Sequence, residues 1–180
     1  MNRPTLSPRI LTPVAMIAAA AAARLLPHPP NVTPLAAIAL FSGACLPGRR
    51  RPFVIPLAAL FLSDLVIGLH DQMPVVYGSF ALIVLLGRLL RARRRALPIA
   101  VATLCGSVLF FAATNFGVWA FGSLYPRTFE GLLACYIAAL PFFGRTLLGD
   151  TFFSAALFGG LALAERISPA RPTGARETSL

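Results

Sequence analysis

Long apolar runs separated by short polar linkers dominate this chain. A helix of about 20 residues crosses the roughly 30 Å of hydrocarbon in a bilayer, because each residue adds about 1.5 Å. The runs that approach this length are residues 10–26, 34–46, 53–69, 73–90, 97–121 and 143–163. The pattern predicts an all-α membrane protein of about six transmembrane helices in a single domain over residues 1–167, followed by a disordered cytoplasmic tail at 168–180.

A further apolar stretch precedes the last predicted span. Joined to that span it would be far longer than one crossing, and Pro141 interrupts it. Proline removes a backbone donor and clashes with the preceding turn, so we expect a break near Leu140. Residues 131–140 are therefore predicted to form a short helix at the outer face, buried against protein rather than lipid.

Composition and charge agree with a lipid environment. Charged residues make up 12% of the chain, whereas soluble domains carry about 25%. All 16 basic residues are arginine, and they concentrate in the amino-terminal segment, alternate linkers and the tail. Because basic loops are retained in the cytoplasm, both termini are predicted to lie inside, at a bacterial inner membrane. A nucleic-acid partner is not expected, although a net charge of +10 would favour one in a soluble protein.

The first apolar segment has a second interpretation. Two arginines, an apolar stretch that ends in alanines and a polar break also describe a cleaved signal peptide. Its removal would leave five helices in the same orientation, so the arginine distribution does not decide between the two interpretations.

Several polar side chains fall at a similar depth in the outer half of the predicted bundle. They are Asp64, Tyr77, Ser79, Asn115 and Asp150. A carboxylate inside a membrane is costly unless it faces protein, water or a partner, so it indicates a functional site by default. We therefore expect a substrate-binding pocket that opens to the outside. The loop residues predicted to lie above it are Arg24, His28, Asn31, Tyr125 and Arg127.

A purely structural role is the alternative for these aspartates. Asp64 and Asp150 would then be satisfied by hydrogen bonds between helices, or by Arg145, and would hold the bundle together.

Catalytic and metal-binding patterns are not apparent in the sequence. His70 and Asp71 are adjacent, but two ligands do not make a metal site. The three cysteines match no metal spacing and are predicted to be packing residues. The chain contains no phosphate-binding loop and no nucleophile in a recognisable setting, so we expect no enzymatic activity and no cofactor. Any ATP-driven transport would need a partner.

Four segments of the sequence resemble a known family. They are PPNVTPLAAIALFSGA, VYGSFALIVLLGRLL, TNFGVWAFGSLYPRTFEGLLACYIAALPFF and LLGDTFF, within residues 24–160. The chain resembles an uncharacterised bacterial membrane family described as substrate-binding (S) components of energy-coupling factor (ECF) transporters.

This resemblance implies a six-helix bundle that captures a micronutrient on the outer side. It also implies docking on a transmembrane scaffold subunit that is coupled to ATPase subunits. In such proteins the first outer loop, here residues 25–34, covers the pocket, and small residues of the first helix, here Ala18 and Ala22, face the scaffold. The competing hypotheses are a non-transport scaffold or assembly protein whose buried polar residues pair with partner helices, and an intramembrane enzyme acting on lipid.

Overall fold

Six α-helices make up the described part of the chain. They are α1 (Pro8–Leu25), α2 (Leu35–Cys45), α3 (Arg51–Ile67), α4 (Met73–Leu89), α5 (Ala96–Phe121) and α6 (Phe129–Ile167). The computed structural model describes residues 8–25 and 32–167, with side chains from residue 17 onward in α1 and up to 166 in α6. These ranges contain no β-strand, so the predicted all-α class is confirmed. The tail predicted at 168–180 lies outside them.

The predicted break at Pro141 is wrong. α6 continues through this proline for 39 residues, so residues 131–140 do not form a separate helix. Proline removes one donor from the helical ladder, but it can kink a helix without ending it when the surrounding packing holds both sides. Here the aromatic rings of Tyr136 and Phe143, on either side of the proline, both pack against Phe111 of α5.

The course of α6 nevertheless changes relative to α5. The Tyr136 hydroxyl donates to the Ala112 carbonyl at 2.7 Å, and the Ser107 hydroxyl contacts Asp150 Oδ2 at 2.7 Å. These two contacts are about 21 Å apart along α6 but only about 7.5 Å apart along α5. The first part of α6 therefore crosses α5 obliquely. The second part is antiparallel to α5, and an ion pair between Arg94 and Glu165 at 3.6 Å lies at its end.

Helix length and apolarity single out two candidate membrane spans among the described residues. α5 and α6 are long and apolar enough to cross a bilayer, whereas α2, with 11 residues, and α4, with 17, are apolar but shorter. Two such helices alone give weak support for a membrane protein. The prediction of six crossings stays a prediction.

α2 forms the centre of the bundle and packs against α3, α4, α5 and α6. The two helices approach closely where Gly43 of α2 faces the backbone of α4 and Gly87 of α4 faces the backbone of α2. A Cβ added to Gly43 would collide with the Val84 carbonyl, and one added to Gly87 would collide with the Leu40 carbonyl. Both positions therefore require glycine for the helices to pack at this distance.

An arginine from the linker after α4 bonds the carboxyl end of α2. Arg91 donates from Nε to the Gly43 carbonyl at 3.0 Å and from Nη2 to the Leu46 carbonyl at 2.8 Å. These carbonyls lie at the carboxyl end of α2, where helices leave acceptors unpaired and favour positive charge. We call this the arginine end of the bundle. At the opposite end α1 and α3 finish and α2 and α4 begin.

Candidate functional site

A cavity of about 180 Å³ lies between the helices, towards the end opposite the arginine end. Every helix contributes to its wall, together with the two linkers that precede α2 and α4. The lining residues are Arg24, Thr33, Leu35, Ala36, Leu60, His70, Val76, Phe80, Phe110, Thr146 and Asp150. We call it the central cavity. It combines a cation, a carboxylate, an imidazole and two hydroxyls with apolar walls.

Arg24, at the end of α1, joins the cavity to a buried polar cluster. Its Nη1 forms an ion pair with Asp64 Oδ1 and donates to the Ser63 hydroxyl at 2.7 Å. The Tyr77 hydroxyl donates to Asp64 Oδ2 at 2.9 Å. Asp64 is 0% exposed, so protein groups from α1 and α4 meet both oxygens of a fully buried carboxylate. The cation beside it is Arg24 rather than Arg145, which is exposed.

Asp150, on α6, has a sparser environment. The Ser107 hydroxyl contacts its Oδ2 at 2.7 Å, and no cation pairs with it within the described ranges. The Ser107 hydroxyl also lies 3.1 Å from the Thr103 carbonyl, and its single proton serves one acceptor at a time. Asp150 is buried but lines the central cavity. It is therefore the carboxylate that a molecule in this cavity would meet.

A second, much smaller space lies beside Asp150 on the side towards the arginine end. Its volume is about 10 Å³, room for one water molecule. Its wall includes the hydroxyls of Ser107, Thr103 and Ser154. The Thr103 and Ser154 hydroxyls are buried and have no hydrogen-bond partner in the described part of the chain. Asp150 thus lines both the central cavity and a smaller space with room for one water molecule.

Asp150 alone of the five predicted pocket residues lines the central cavity. Asp64 and Tyr77 belong to the buried cluster beside Arg24, and Ser79 and Asn115 lie farther away. The Ser79 hydroxyl is buried and donates to its own helix at the Val75 carbonyl, 2.7 Å away. Asn115 likewise donates to the Phe111 carbonyl at 2.8 Å, and it lines a neighbouring cavity of about 160 Å³. That cavity shares Phe110 and Thr146 with the central one. Asn115 would therefore contact a ligand only if the ligand extended past these two side chains.

Apart from Arg24, the described loop residues predicted above the pocket do not line the central cavity, and the alanines predicted to face a scaffold lie elsewhere. Arg127 is exposed and Tyr125 half-buried, and neither lines the central cavity. Ala18 and Ala22 lie on the exposed side of α1. Asn31 and His28 lie outside the described residues, as does most of the loop predicted to cover the pocket.

Sequence reasoning missed several residues of the cavity. His70 reaches it because Gly68 ends α3 with a φ of 114°, a conformation that favours glycine and turns the chain towards α4. Thr146 lies about one turn before Asp150 on α6, a spacing that places both on one face and that offered a usable signal. Ser107, which contacts Asp150 but does not line the cavity, gave no such signal, since a lone serine in an apolar helix more often bonds its own backbone.

Metal ligands are not grouped in the described part of the chain. Among the described residues, no group of three His, Cys, Asp or Glu side chains could hold a metal ion. Asp150 and His70 both line the central cavity, but Asp64 is occupied by Arg24 and Tyr77.

Comparison with known proteins identifies a family without a known role. A family of unknown function, DUF6580, matches residues 4–171. The chain belongs to this family. No curated protein and no solved structure matches the chain. Family membership therefore covers nearly the whole chain and leaves the activity to be inferred from the site.

Proposed function

We propose that the protein is a multi-pass protein of the bacterial inner membrane, with six crossings and both termini in the cytoplasm. Large apolar side chains are exposed along α3, α4, α5 and α6, including Val66, Leu89, Val101 and Leu148. Soluble monomers rarely expose apolar surface on so many sides, which favours lipid as the surrounding medium. α6 is about 58 Å long, so its first part extends beyond one crossing or runs along the outer surface.

Reporter fusions test this topology. Fusions after Arg51, Arg95 and the carboxyl terminus should report cytoplasm, and fusions after Asp71 and Arg127 should report the outside. A periplasmic signal from the Arg95 fusion would contradict the arrangement.

Within that membrane domain, the protein binds a small solute in the central cavity. The observation that carries this proposal is the cavity itself, because all six helices enclose it and Asp150 lines it without a paired cation. Its volume is below the roughly 300–1,000 Å³ typical of drug-sized ligand pockets. Arg24 and Asp150 lie on its wall together, so the favoured solute carries both a hydrogen-bond acceptor and an amine or hydroxyl donor.

Native mass spectrometry of gently purified protein is the direct test. Mixtures of amino acids, organic amines and water-soluble vitamins should leave at least one solute bound at one per chain. Asp150→Asn should weaken that binding, and Asp71→Asn, the same change at an exposed loop position, should not. No retained solute from any class would contradict the proposal.

The resemblance to S components extends the proposal to an importer. The protein would then be the capture subunit, and scaffold and ATPase subunits would act in trans. The exposed positions of Ala18 and Ala22 on α1 are consistent with a docked scaffold helix. Protein reconstituted alone should bind solute without ATP-driven accumulation. Uptake driven by ATP with the lone chain would contradict this division of labour.

The competing role is a scaffold or assembly subunit. The pairing of Asp64 with Arg24 and Tyr77 favours it, because this buried cluster joins three helices without need of a solute. A stoichiometric protein complex that is stable in the absence of solute would favour this role over capture.

A further inference from the structure

An apolar groove runs along the outside of α3 beside α4 and is separate from the central cavity. Its volume is about 910 Å³, and α3 forms one wall with Phe53, Val54, Leu57 and Phe61. Arg50 and Phe61 are about 16 Å apart along α3, close to the roughly 15 Å thickness of one hydrocarbon leaflet. The groove therefore has the length of a lipid acyl chain.

Positive charge is confined to one end of this groove. Arg49, Arg50 and Arg88 line it at the arginine end, and no acidic residue lines it anywhere. A partner helix with an all-apolar face would gain nothing from three guanidinium groups at one end. An acyl chain that ends in a negatively charged headgroup matches both parts of the groove.

Arg88 is held at the charged end of the groove by two contacts. Its guanidinium lies 4.7 Å from the centre of the Phe53 ring, and its Nη2 donates to the Arg49 carbonyl. The side chain lines the groove together with Arg49 and Arg50. A phosphate oxygen is the acceptor that arginine favours, so a phosphate at this end would meet all three side chains.

We propose that this groove binds one anionic phospholipid of the leaflet at the arginine end. The phosphate contacts Arg88, Arg49 and Arg50, and one acyl chain lies along Phe53, Leu57 and Phe61. This inference requires that the protein lie in a membrane, but it does not require solute capture.

The test uses native mass spectrometry of the full chain released from nanodiscs that contain equal amounts of phosphatidylglycerol and phosphatidylcholine with identical acyl chains. Wild type should retain phosphatidylglycerol preferentially, at one per chain. The double variant Arg49→Gln/Arg50→Gln keeps the Arg49 carbonyl that Arg88 bonds. It should lower the preference at least about tenfold. The variant Arg93→Gln/Arg95→Gln removes the same charge from another linker at the arginine end and should retain the wild-type preference.

Single variants distinguish lipid binding in the groove from solute binding in the central cavity. Arg88→Gln should also lose the preference, and Asp150→Asn should keep it, so failure of solute capture and failure of lipid binding are separable. Equal retention of the two lipids by wild type, or wild-type preference in the Arg49→Gln/Arg50→Gln variant, would overturn the proposal. A lipid-free dimer that the same double variant dissociates would assign the groove to a second copy of the chain and overturn it as well.

Discussion

Asp64 and Asp150 are the two buried carboxylates of the bundle's helices, and their surroundings differ. Protein donors meet both oxygens of Asp64, and one of them is the cation Arg24. Asp150 has the Ser107 hydroxyl on one oxygen and faces the central cavity. A fully paired carboxylate stabilises the bundle and has little capacity left for a ligand. A sparsely paired one retains acceptor capacity, so the same residue type serves packing in one place and binding in the other.

Substitution of Asp64 should have the largest effect on the stability of the fold. Asp64→Asn removes the negative charge and leaves the half-buried Arg24 without its counter-ion, which should destabilise the fold by about 3 kcal/mol. Thermal unfolding in detergent measures this loss. The double variant Arg24→Gln/Asp64→Asn should recover much of it, because no unpaired charge remains. Unchanged melting of the single variant would show that the ion pair does not stabilise the fold.

α4 supplies Tyr77 to Asp64, and α2 lines the central cavity beside Asp150. Disruption of the packing between α2 and α4 should therefore be the next largest effect. Gly87→Ala forces a methyl group against the Leu40 carbonyl and should cost about 1–3 kcal/mol of unfolding free energy. Gly78→Ala is the matched control on the same helix, since nothing lies within 4 Å of an added Cβ there. Alanine is the better helix former, so the control should be neutral or stabilising. Equal melting temperatures would show that the close approach is not required.

Asp150 should affect binding more than stability. Asp150→Asn keeps the shape and an acceptor for Ser107 but removes the charge that faces the central cavity. Affinity for the retained solute should fall about tenfold, equivalent to about 1.4 kcal/mol, while the melting temperature changes little. Titration and unfolding should use the same sample as Asp64→Asn. A large fall in melting temperature with unchanged binding per folded molecule would place Asp150 in the same structural role as Asp64.

The sequence predicted the helices well and the site in part. Apolar runs bounded by prolines and arginines located five helices within a few residues, because breaks in hydrophobicity coincide with helix ends. Pro141 was misread because a local rule was overridden by packing against Phe111. Depth along a helix placed Asp64 and Asp150 in one half of the bundle. It did not give the direction of each side chain, since these helices are apolar on nearly every side.

This missing direction explains which of the predicted residues line the central cavity. Ser79 and Asn115 share the predicted depth, but each bonds the carbonyl four residues earlier in its own helix. Polar side chains in apolar helices commonly do so. The partnership of Arg24 with Asp64 spans 40 residues of sequence, and no local pattern reports a contact of that range.

The smallest expected effect is a difference between two tyrosine variants, and it tests the pairing of Asp64 on which the comparison depends. Tyr77→Phe removes the hydroxyl that donates to Asp64 Oδ2, and Tyr136→Phe removes one that donates to the neutral Ala112 carbonyl at 2.7 Å. A hydrogen bond to an ionised acceptor is about twice as strong as one between neutral groups. Tyr77→Phe should therefore cost about 1.5–3 kcal/mol and Tyr136→Phe about 0.5–1.5 kcal/mol. Unfolding in detergent with urea compares the two variants directly. If both lose the same free energy, the Tyr77 hydroxyl gains nothing from the ion pair of Arg24 with Asp64, which contradicts the stronger pairing assigned to Asp64.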